Sequence, residues 1–261
     1  MSFEFTKENI DSYLKELAKE YRRQVGKGMP AELILIGGAS VLVNYGFRNM
    51  TTDIDALFHG ASAMKDAVSR VGDRFDLPAG WLNDDFTHTD SYTPRLAKFS
   101  TYYRTYANVL TVRTVSAEYL IAMKLRSGRQ YKSDLSDVLG ILAEHQRQGA
   151  PLSLGRIQKA AADLYGGFAA LPEPSRRFIV NVMENGDFEA LYEEVVGAEQ
   201  ETKGLLLDFE KTYPQALGSK NVDTIAETLQ QKTDRASVMA MLRKKRAEGA
   251  AQEHPKGDPA R

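Results

Sequence analysis

Leu35-Ile-Gly-Gly-Ala-Ser40 and Thr52-Asp-Ile-Asp-Ala56 are the two most informative stretches of this sequence. The second stretch begins a run that alternates polar and apolar side chains, as a half-buried strand does. Because alternate residues of a strand point to the same side, Asp53 and Asp55 are expected to face one place while Ile54 faces the core. The pattern therefore predicts a site built on two neighbouring carboxylates.

Two carboxylates held side by side repel each other unless a cation lies between them. Carboxylate oxygens are hard ligands, which favour Mg²⁺ or Mn²⁺ over softer metals. We therefore predict that Asp53 and Asp55 bind Mg²⁺ (or Mn²⁺). The ordinary alternative is that the Asp-x-Asp pair is solvated surface, which is common in proteins.

The first stretch predicts a phosphate-binding turn. Residues 32–36 form a short apolar run typical of a buried strand, and residues 39–45 a helix, so that Gly37 and Gly38 lie between the two. Backbone N–H groups at a helix N-terminus bind phosphate, and glycine lets the phosphate approach the backbone closely. Ser40 adds a hydroxyl donor. A phosphate site beside a two-carboxylate metal site is the arrangement used for phosphoryl or nucleotidyl transfer, whereas a double glycine alone is more often a tight turn.

The rest of the chain alternates helical and strand patterns up to about residue 150. Helices are predicted at residues 6–28, 61–71, 79–86, 117–125 and 133–142, and further strands at 96–103 and 107–115. Ser116 is a candidate N-cap for the helix that follows it. Only helical periodicities occur between residues 153 and 230.

These patterns predict an α/β (α+β) fold, in which a small mixed sheet is flanked by helices and followed by an all-helical C-terminal region. We place the domains at residues 1–150 and 151–246. The last residues, 247–261, are rich in Ala, Gly, Pro and charged side chains, which predicts a disordered tail.

The composition excludes several classes of function. Of the 261 residues, 43% are hydrophobic and 26% charged, as in an ordinary globular protein. The formal net charge of −1 gives no overall attraction to nucleic acid, although this value does not exclude a local basic patch. The lack of cysteine excludes disulfide bonds, thiolate catalysis and cysteine-based zinc sites. No apolar run approaches the roughly 20 residues that span a bilayer, and the first residues lack a signal-peptide pattern. We expect a cytoplasmic protein with no membrane partner.

A double glycine, a helix and Asp-x-Asp on a strand together resemble the signature of the nucleotidyltransferase superfamily related to DNA polymerase beta. Within that superfamily the sequence looks like the AbiEii-type toxins of type IV toxin–antitoxin systems and their bacterial relatives. The resemblance covers roughly residues 30–145. It rests on Gly37-Gly-Ala39, Arg48, Thr51 or Thr52, Asp53-Ile-Asp55, Lys124-Leu125, Arg129, Lys132 and Asp134-Leu-Ser-Asp137.

The resemblance implies a nucleotidyltransferase fold that takes an NTP, with a possible cognate antitoxin as a partner. It implies that Lys124 binds the triphosphate and that Asp134 or Asp137 orients Lys124 or a nucleophile. Further phosphate contacts are expected from Arg48, Thr52, Arg129 and Lys132. Simpler roles stay open: Lys124 as a solvated surface lysine, Asp134 as an acid favoured at a helix N-terminus, and Asp137 as the partner of Arg129 or Lys132.

Active members of the superfamily carry a third carboxylate on a later strand, where it helps to hold the metal and to activate the attacking hydroxyl. The strand expected here, residues 109–115, contains no acid, and Asp84, Asp85 and Asp90 lie in predicted loops. Two functions are therefore predicted. The first is a metal-dependent nucleotidyltransferase that moves a nucleoside monophosphate to a hydroxyl of RNA such as tRNA, of a protein or of a small molecule. The second is a catalytically reduced protein of the same fold that binds a nucleotide or a partner.

Overall fold

A computed structural model of the chain describes residues 3–60, 62–129, 132–218, 221–222 and 224–231. Among these residues the helices are α1 (Lys7–Val25), α2 (Gly37–Asn44), α3 (Ala63–Phe75), α4 (Ala117–Ser127), α5 (Asp134–Arg147), α6 (Leu154–Tyr165), α7 (Glu173–Asn185) and α8 (Phe188–Thr212). The strands are β1 (Ala31–Leu35), β2 (Ile54–His59), β3 (Leu82–Asn83), β4 (Ser100–Tyr106) and β5 (Leu110–Val115). Short 3₁₀ helices cover Asp85–His88, Pro94–Phe99 and Phe168–Ala170.

The strands form one five-stranded mixed sheet in the order β3-β2-β1-β5-β4. The central strand, β1, is antiparallel to β2 and parallel to β5. On the outside, β3 runs parallel to β2, and β4 runs antiparallel to β5. The predicted fold class, a small mixed sheet flanked by helices and followed by a helical C-terminal region, is confirmed.

The side chains of β1 supply two separate cores because successive residues of a strand face opposite sides. Leu33 and Leu35 pack with the apolar faces of α1 and α3, whereas Ile34 packs with α4 to α7. The start of α1 is fixed by a capping box, in which Thr6 and Asn9 each bind the backbone N–H of the other. The sheet is therefore a middle layer between helices, and the residues at its strand ends are positioned from both sides.

The helix predicted at residues 79–86 is wrong, because this segment contains β3 and the beginning of a 3₁₀ helix. Trp81 explains the difference: its carbonyl accepts a hydrogen bond of 2.9 Å from the N–H of Ile54, and its indole N–H donates to the carbonyl of Val68. The backbone of this segment therefore forms hydrogen bonds with the neighbouring strand β2 and not within a helix. Ser116 occupies the N-cap position of α4, but its hydroxyl donates to the carbonyl of Phe99 instead of capping the helix.

The chain divides into two compact units. The first consists of residues 1–128 and 133–195, and the second of residues 129–132 and 196–261. Helices α6 and α7 belong to the first of these compact units. The domain boundary that the sequence predicts near residue 150 stays a prediction. The predicted tail, 247–261, lies outside the described residues. Within the described part of the chain, no helix is long and apolar enough to cross a membrane.

Candidate functional site

The double glycine forms the beginning of α2, two residues after the end of β1, at a place where side chains would collide with their neighbours. Gly37 has a φ of 57°, a left-handed conformation that favours glycine, and a Cβ there would lie 3.2 Å from Oδ2 of Asp55. A Cβ on Gly38 would lie 2.7 Å from Nη2 of Arg48 and 2.9 Å from Oγ1 of Thr51. Because the two glycines carry no side chain, a carboxylate, a guanidinium group and a hydroxyl approach their backbone closely, and we call the region that these groups border the glycine cradle.

The N-terminus of α2 opens onto the glycine cradle. The first N–H groups of any α-helix lack a carbonyl partner within the helix. The N-cap residue of α2 is Ile36, whose side chain makes no capping hydrogen bond to these donors. Backbone donors of this kind, together with the helix dipole, attract phosphate groups.

The two predicted carboxylates lie at the start of β2. Asp55 is on the strand and half-buried, whereas Asp53 is exposed in the bend one residue before the strand, which differs from the strand predicted to start at residue 53. Between them Ile54 is fully buried, as expected. The N–H of Ile36 donates to the carbonyl of Asp55 at 2.9 Å, and Oγ1 of Thr51 donates to the carbonyl of Asp53 at 3.1 Å. These bonds hold the start of β2 against the glycine cradle.

The pairing of β3 with β2 places Asn83 directly beside Asp55 in the sheet. The amide of Asn83 donates to the carbonyl of Gly80 and accepts from the N–H of Asp85, both at 2.9 Å. On the other side of β1, β5 contains no acid. The described residues contain no group of three or more His, Cys, Asp or Glu side chains that could hold a metal ion.

Asn83 is a residue of the site that sequence reasoning missed. Its strand, β3, has only two residues, which is too short for an alternating pattern to be visible. The acids considered in its place, Asp84 and Asp85, are exposed at the beginning of the 3₁₀ helix that follows. Only the register between β2 and β3 reveals that an amide lies next to Asp55.

Arg48 lies in the connection between α2 and β2, and two partners hold its guanidinium group. Its Nε donates to the carbonyl of Met50 at 3.1 Å, and its Nη1 donates to Oδ2 of Asp137 at 2.5 Å. Of the two threonines that match the family pattern, Thr51 is buried at the glycine cradle, whereas Thr52 is exposed in the neighbouring bend.

Lys124 is buried, so its interpretation as a solvated surface lysine is wrong. Its Nζ lies 2.8 Å from Oδ1 of Asp134 and 2.8 Å from Oδ2 of Asp137. Both carboxylates are buried in the first turn of α5, where the helix dipole also favours negative charge. Arg48, Lys124, Asp134 and Asp137 are therefore connected, and we call them the ionic cluster.

The charge of Lys124 is maintained by this cluster. Burial disfavours the charged ammonium form, and the charge of Arg48 opposes it as well. The two carboxylates, Asp134 and then Asp137, outweigh both effects and raise the pKa of Lys124 above its usual value. Lys124 is thus held as a cation, which donates a hydrogen bond to Asp134 and forms an ion pair with Asp137.

Three other predicted phosphate contacts lie elsewhere. Ser40 is fully buried, and its Oγ has no hydrogen-bond partner among the described residues. Arg129 and Lys132 lie in the connection between α4 and α5, where Arg129 is half-buried and Lys132 exposed, in a segment that belongs to the second unit. The phosphate contacts of all three stay predictions.

Comparison with known proteins identifies the family. The family described as "Nucleotidyltransferase of unknown function (DUF6036)" matches residues 12–144, a region that contains the glycine cradle, the Asp pair and the ionic cluster. Searches of the curated proteins and of the solved structures found no match. Because the matched region spans just over half of the 261 residues, the chain belongs to this nucleotidyltransferase family.

Proposed function

We propose that this protein is a metal-dependent nucleotidyltransferase that moves a nucleoside monophosphate from an NTP to an acceptor hydroxyl. The position of Asp55 carries the proposal, because its Oδ2 is 3.2 Å from where a Cβ on Gly37 would be. A carboxylate suited to a hard metal ion therefore borders the same space as a helix N-terminus suited to phosphate. Membership of a nucleotidyltransferase family supports this assignment.

Asp53 and Asp55 are the proposed ligands for Mg²⁺ (or Mn²⁺). Both offer hard carboxylate oxygens at the start of β2, and the lack of a side chain on Gly37 lets the carboxylate of Asp55 approach the first turn of α2. When bound, the ion would supply positive charge that stabilises the departing pyrophosphate. Asn83, beside Asp55 in the sheet, adds a neutral oxygen on the side of β3.

The glycine cradle is the proposed phosphate site. Phosphate oxygens would accept from the N–H groups at the start of α2 and from the guanidinium of Arg48, whose Nη2 reaches Gly38. The acceptor hydroxyl oxygen attacks the α-phosphorus, the bond to the pyrophosphate oxygen breaks, and the hydroxyl proton passes to water. Additional phosphate contacts in this proposal come from Ser40 and Thr52.

A second candidate function is that of a binding module with reduced or no catalysis. The described residues contain no third acid beside Asp53 and Asp55, and the neighbouring strand presents the amide of Asn83 instead. A protein of this kind would bind an NTP, or a protein partner, without turnover.

Label transfer separates the two candidates. The purified protein is incubated with cell extract, Mg²⁺ and each α-³²P-labelled NTP in turn, beside the variants Asp53→Ala and Asp73→Ala. Asp73 is an exposed acid on α3 and serves as the matched control. We expect labelled product with the wild type and with Asp73→Ala but not with Asp53→Ala. Equal labelling by Asp53→Ala, or none by the wild type, contradicts the transferase, and calorimetric NTP binding without labelling supports the binding module.

The same reaction identifies the acceptor. Label that is sensitive to ribonuclease indicates RNA such as tRNA, label that is sensitive to protease indicates a protein, and label that is extracted with small solutes indicates a small molecule. A toxin-like role in the cytoplasm, with a cognate antitoxin as partner, is part of the proposal. Arrest of growth on expression of the wild type, and normal growth with Asp53→Ala, is the expected result for that role.

A further inference from the structure

The ionic cluster contains two cations and two carboxylates, and its members differ strongly in exposure. The side chains of Lys124, Asp134 and Asp137 are 7%, 0% and 3% exposed, whereas that of Arg48 is 20% exposed. Only Arg48 therefore combines membership of the cluster with access from outside it. The formal charges of the four groups cancel.

The hydrogen bonds of Lys124 are directed inward. An ammonium group has three N–H donors, and two of the directions around Nζ are occupied by Asp134 and Asp137 at 2.8 Å. If Lys124 turned towards a triphosphate, two buried carboxylates would lose a cation, which is strongly unfavourable in a protein interior. The geometry therefore opposes a direct contact between Lys124 and phosphate.

Arg48 has the opposite arrangement. Asp137 and the carbonyl of Met50 hold Nη1 and Nε, while Nη2 lies at the glycine cradle, 2.7 Å from the position of a Cβ on Gly38. A planar guanidinium that is anchored on one edge presents its other edge in a fixed direction, which suits phosphate oxygens. The anchor, Asp137, is the same carboxylate that Lys124 contacts.

We propose that Arg48 is the cation that contacts the triphosphate and that Lys124 is a positioning residue that acts through Asp137. The positive charge of Lys124 balances part of the negative charge of Asp134 and Asp137. Asp137 therefore holds Arg48 in place without attracting its guanidinium group away from the glycine cradle. This inference rests on the proposed function. It differs from the role that the family resemblance implies for Lys124, which is direct triphosphate binding.

The binding of inorganic tripolyphosphate in the presence of Mg²⁺ tests these roles of Arg48 and Lys124. It requires no knowledge of the nucleotide base or of the acceptor. Calorimetry compares the wild type, Arg48→Met, Lys124→Met and the double variant Lys124→Met/Asp134→Asn, with each folded fraction checked by circular dichroism and thermal melting. The double variant removes one positive and one negative charge, so that Arg48 and Asp137 stay paired and balanced.

We expect Arg48→Met to weaken binding about tenfold or more, as loss of a charge-assisted hydrogen bond does. Lys124→Met alone is expected to weaken binding by a similar factor, because Asp137 then lacks the charge of Lys124, holds Arg48 back and repels phosphate. The double variant is expected to recover the affinity to within about threefold of the wild type, since its charge is balanced again.

Each other result overturns the proposal. If the double variant is folded and binds as weakly as Lys124→Met, the ammonium group contacts phosphate directly. If Lys124→Met is folded and binds as the wild type does, the role of Lys124 is purely structural. If Arg48→Met binds normally, Arg48 is not the phosphate ligand. Absence of tripolyphosphate binding by the wild type, seen before any variant is made, contradicts the proposed function and this inference together.

Discussion

Arg48 and Asp137 are joined by a hydrogen bond of 2.5 Å between Nη1 and Oδ2, although 89 residues separate them in the sequence. The bond connects the segment before β2 to the first turn of α5. It also brings the guanidinium group to Gly38, beside the carboxylates at the start of β2. The geometry of the glycine cradle therefore depends on α5, an element remote in sequence from the glycines themselves.

The first prediction concerns Gly38. In Gly38→Ala the new Cβ would lie 2.7 Å from Nη2 of Arg48, so the guanidinium must move away from the cradle. We expect the affinity for tripolyphosphate to fall by about tenfold, with a small change in melting temperature, because Arg48 is partly exposed. Gly46→Ala is the control, since a Cβ on Gly46 would meet no neighbouring atom within 4 Å. Unchanged affinity in Gly38→Ala would show that the cradle does not bind phosphate.

The second prediction uses stability as a measure of metal binding. A metal that binds only the folded protein raises the melting temperature in proportion to the logarithm of its concentration. We expect MgCl₂ to raise the melting temperature of the wild type and to have no such effect on Asp53→Asn/Asp55→Asn. An equal response to MgCl₂ in both proteins places the metal elsewhere.

The third prediction concerns the charge of Lys124. Its folded-state pKa is raised, so its stabilising effect is fully present below the ordinary lysine pKa of about 10.4 and is lost only as the pH rises through the higher folded value. We expect the difference in the free energy of unfolding between the wild type and Lys124→Met/Asp134→Asn to be constant from about pH 7 to pH 9. Urea denaturation at several pH values measures it. A difference that changes steadily over this range contradicts a raised pKa.

The fourth prediction concerns Glu20, which ties α1 to α3 and is 2% exposed. The hydrogen bond from Arg23 is the main cause that lowers the pKa of Glu20 to about 2, with Gln24 and Arg74 contributing and burial opposing. A lowered pKa means that the stabilisation is present above the ordinary glutamate pKa of about 4.3 and is lost as the pH falls towards 2.

We expect Glu20→Gln to lower the free energy of unfolding by about 1–2 kcal/mol at pH 7, because hydrogen bonds to a charged group are lost while the arginine partners stay solvated. Urea denaturation should show this difference shrinking between pH 5 and pH 3. Glu16→Gln is the control, since Glu16 is more exposed, pairs with an exposed lysine and lies 3.9 Å from Arg74, which is 2.9 Å from Glu20. The same loss in both variants would show that the burial of Glu20 has no special effect.

The fifth prediction concerns the packing of α5, which carries Asp134 and Asp137. A Cβ on Gly140 would lie 2.5–2.6 Å from three ring atoms of Phe47. Such overpacking typically costs about 1–3 kcal/mol, more than the roughly 1 kcal/mol that alanine gains over glycine in a helix. Gly140→Ala should therefore melt at a lower temperature than the wild type. Gly155→Ala, on α6, meets no atom closer than 3.9 Å and should melt at the same or a higher temperature.

The sequence was sufficient to predict the parts of the site that depend on local patterns. Gly37 and Gly38 follow a buried strand, and Asp53 and Asp55 flank the buried Ile54, so short-range alternation located both groups. The fold class followed from the same alternation of helix and strand patterns.

The remaining parts depend on contacts between distant segments, which no local pattern records. The burial of Lys124 results from the approach of α4 to the first turn of α5, and the helical spacing around Lys124 fits a solvated lysine equally well. Asn83 is placed beside Asp55 by a strand of two residues. The helix predicted at residues 79–86 is wrong for a related reason, because the carbonyl of Trp81 accepts a hydrogen bond from Ile54 of a neighbouring strand.

The long separation between Arg48 and Asp137 also has a consequence for synthesis of the chain on the ribosome. Domains form as the chain emerges from its N-terminal end, so the glycines and the Asp pair are exposed to solvent well before α5 exists. A fragment that stops before Asp134 contains both complete motifs and yet has no carboxylate to anchor Arg48. Nascent and prematurely terminated chains are therefore expected to be inert, and the proposed activity to begin only when the helix that carries Asp137 has left the exit tunnel.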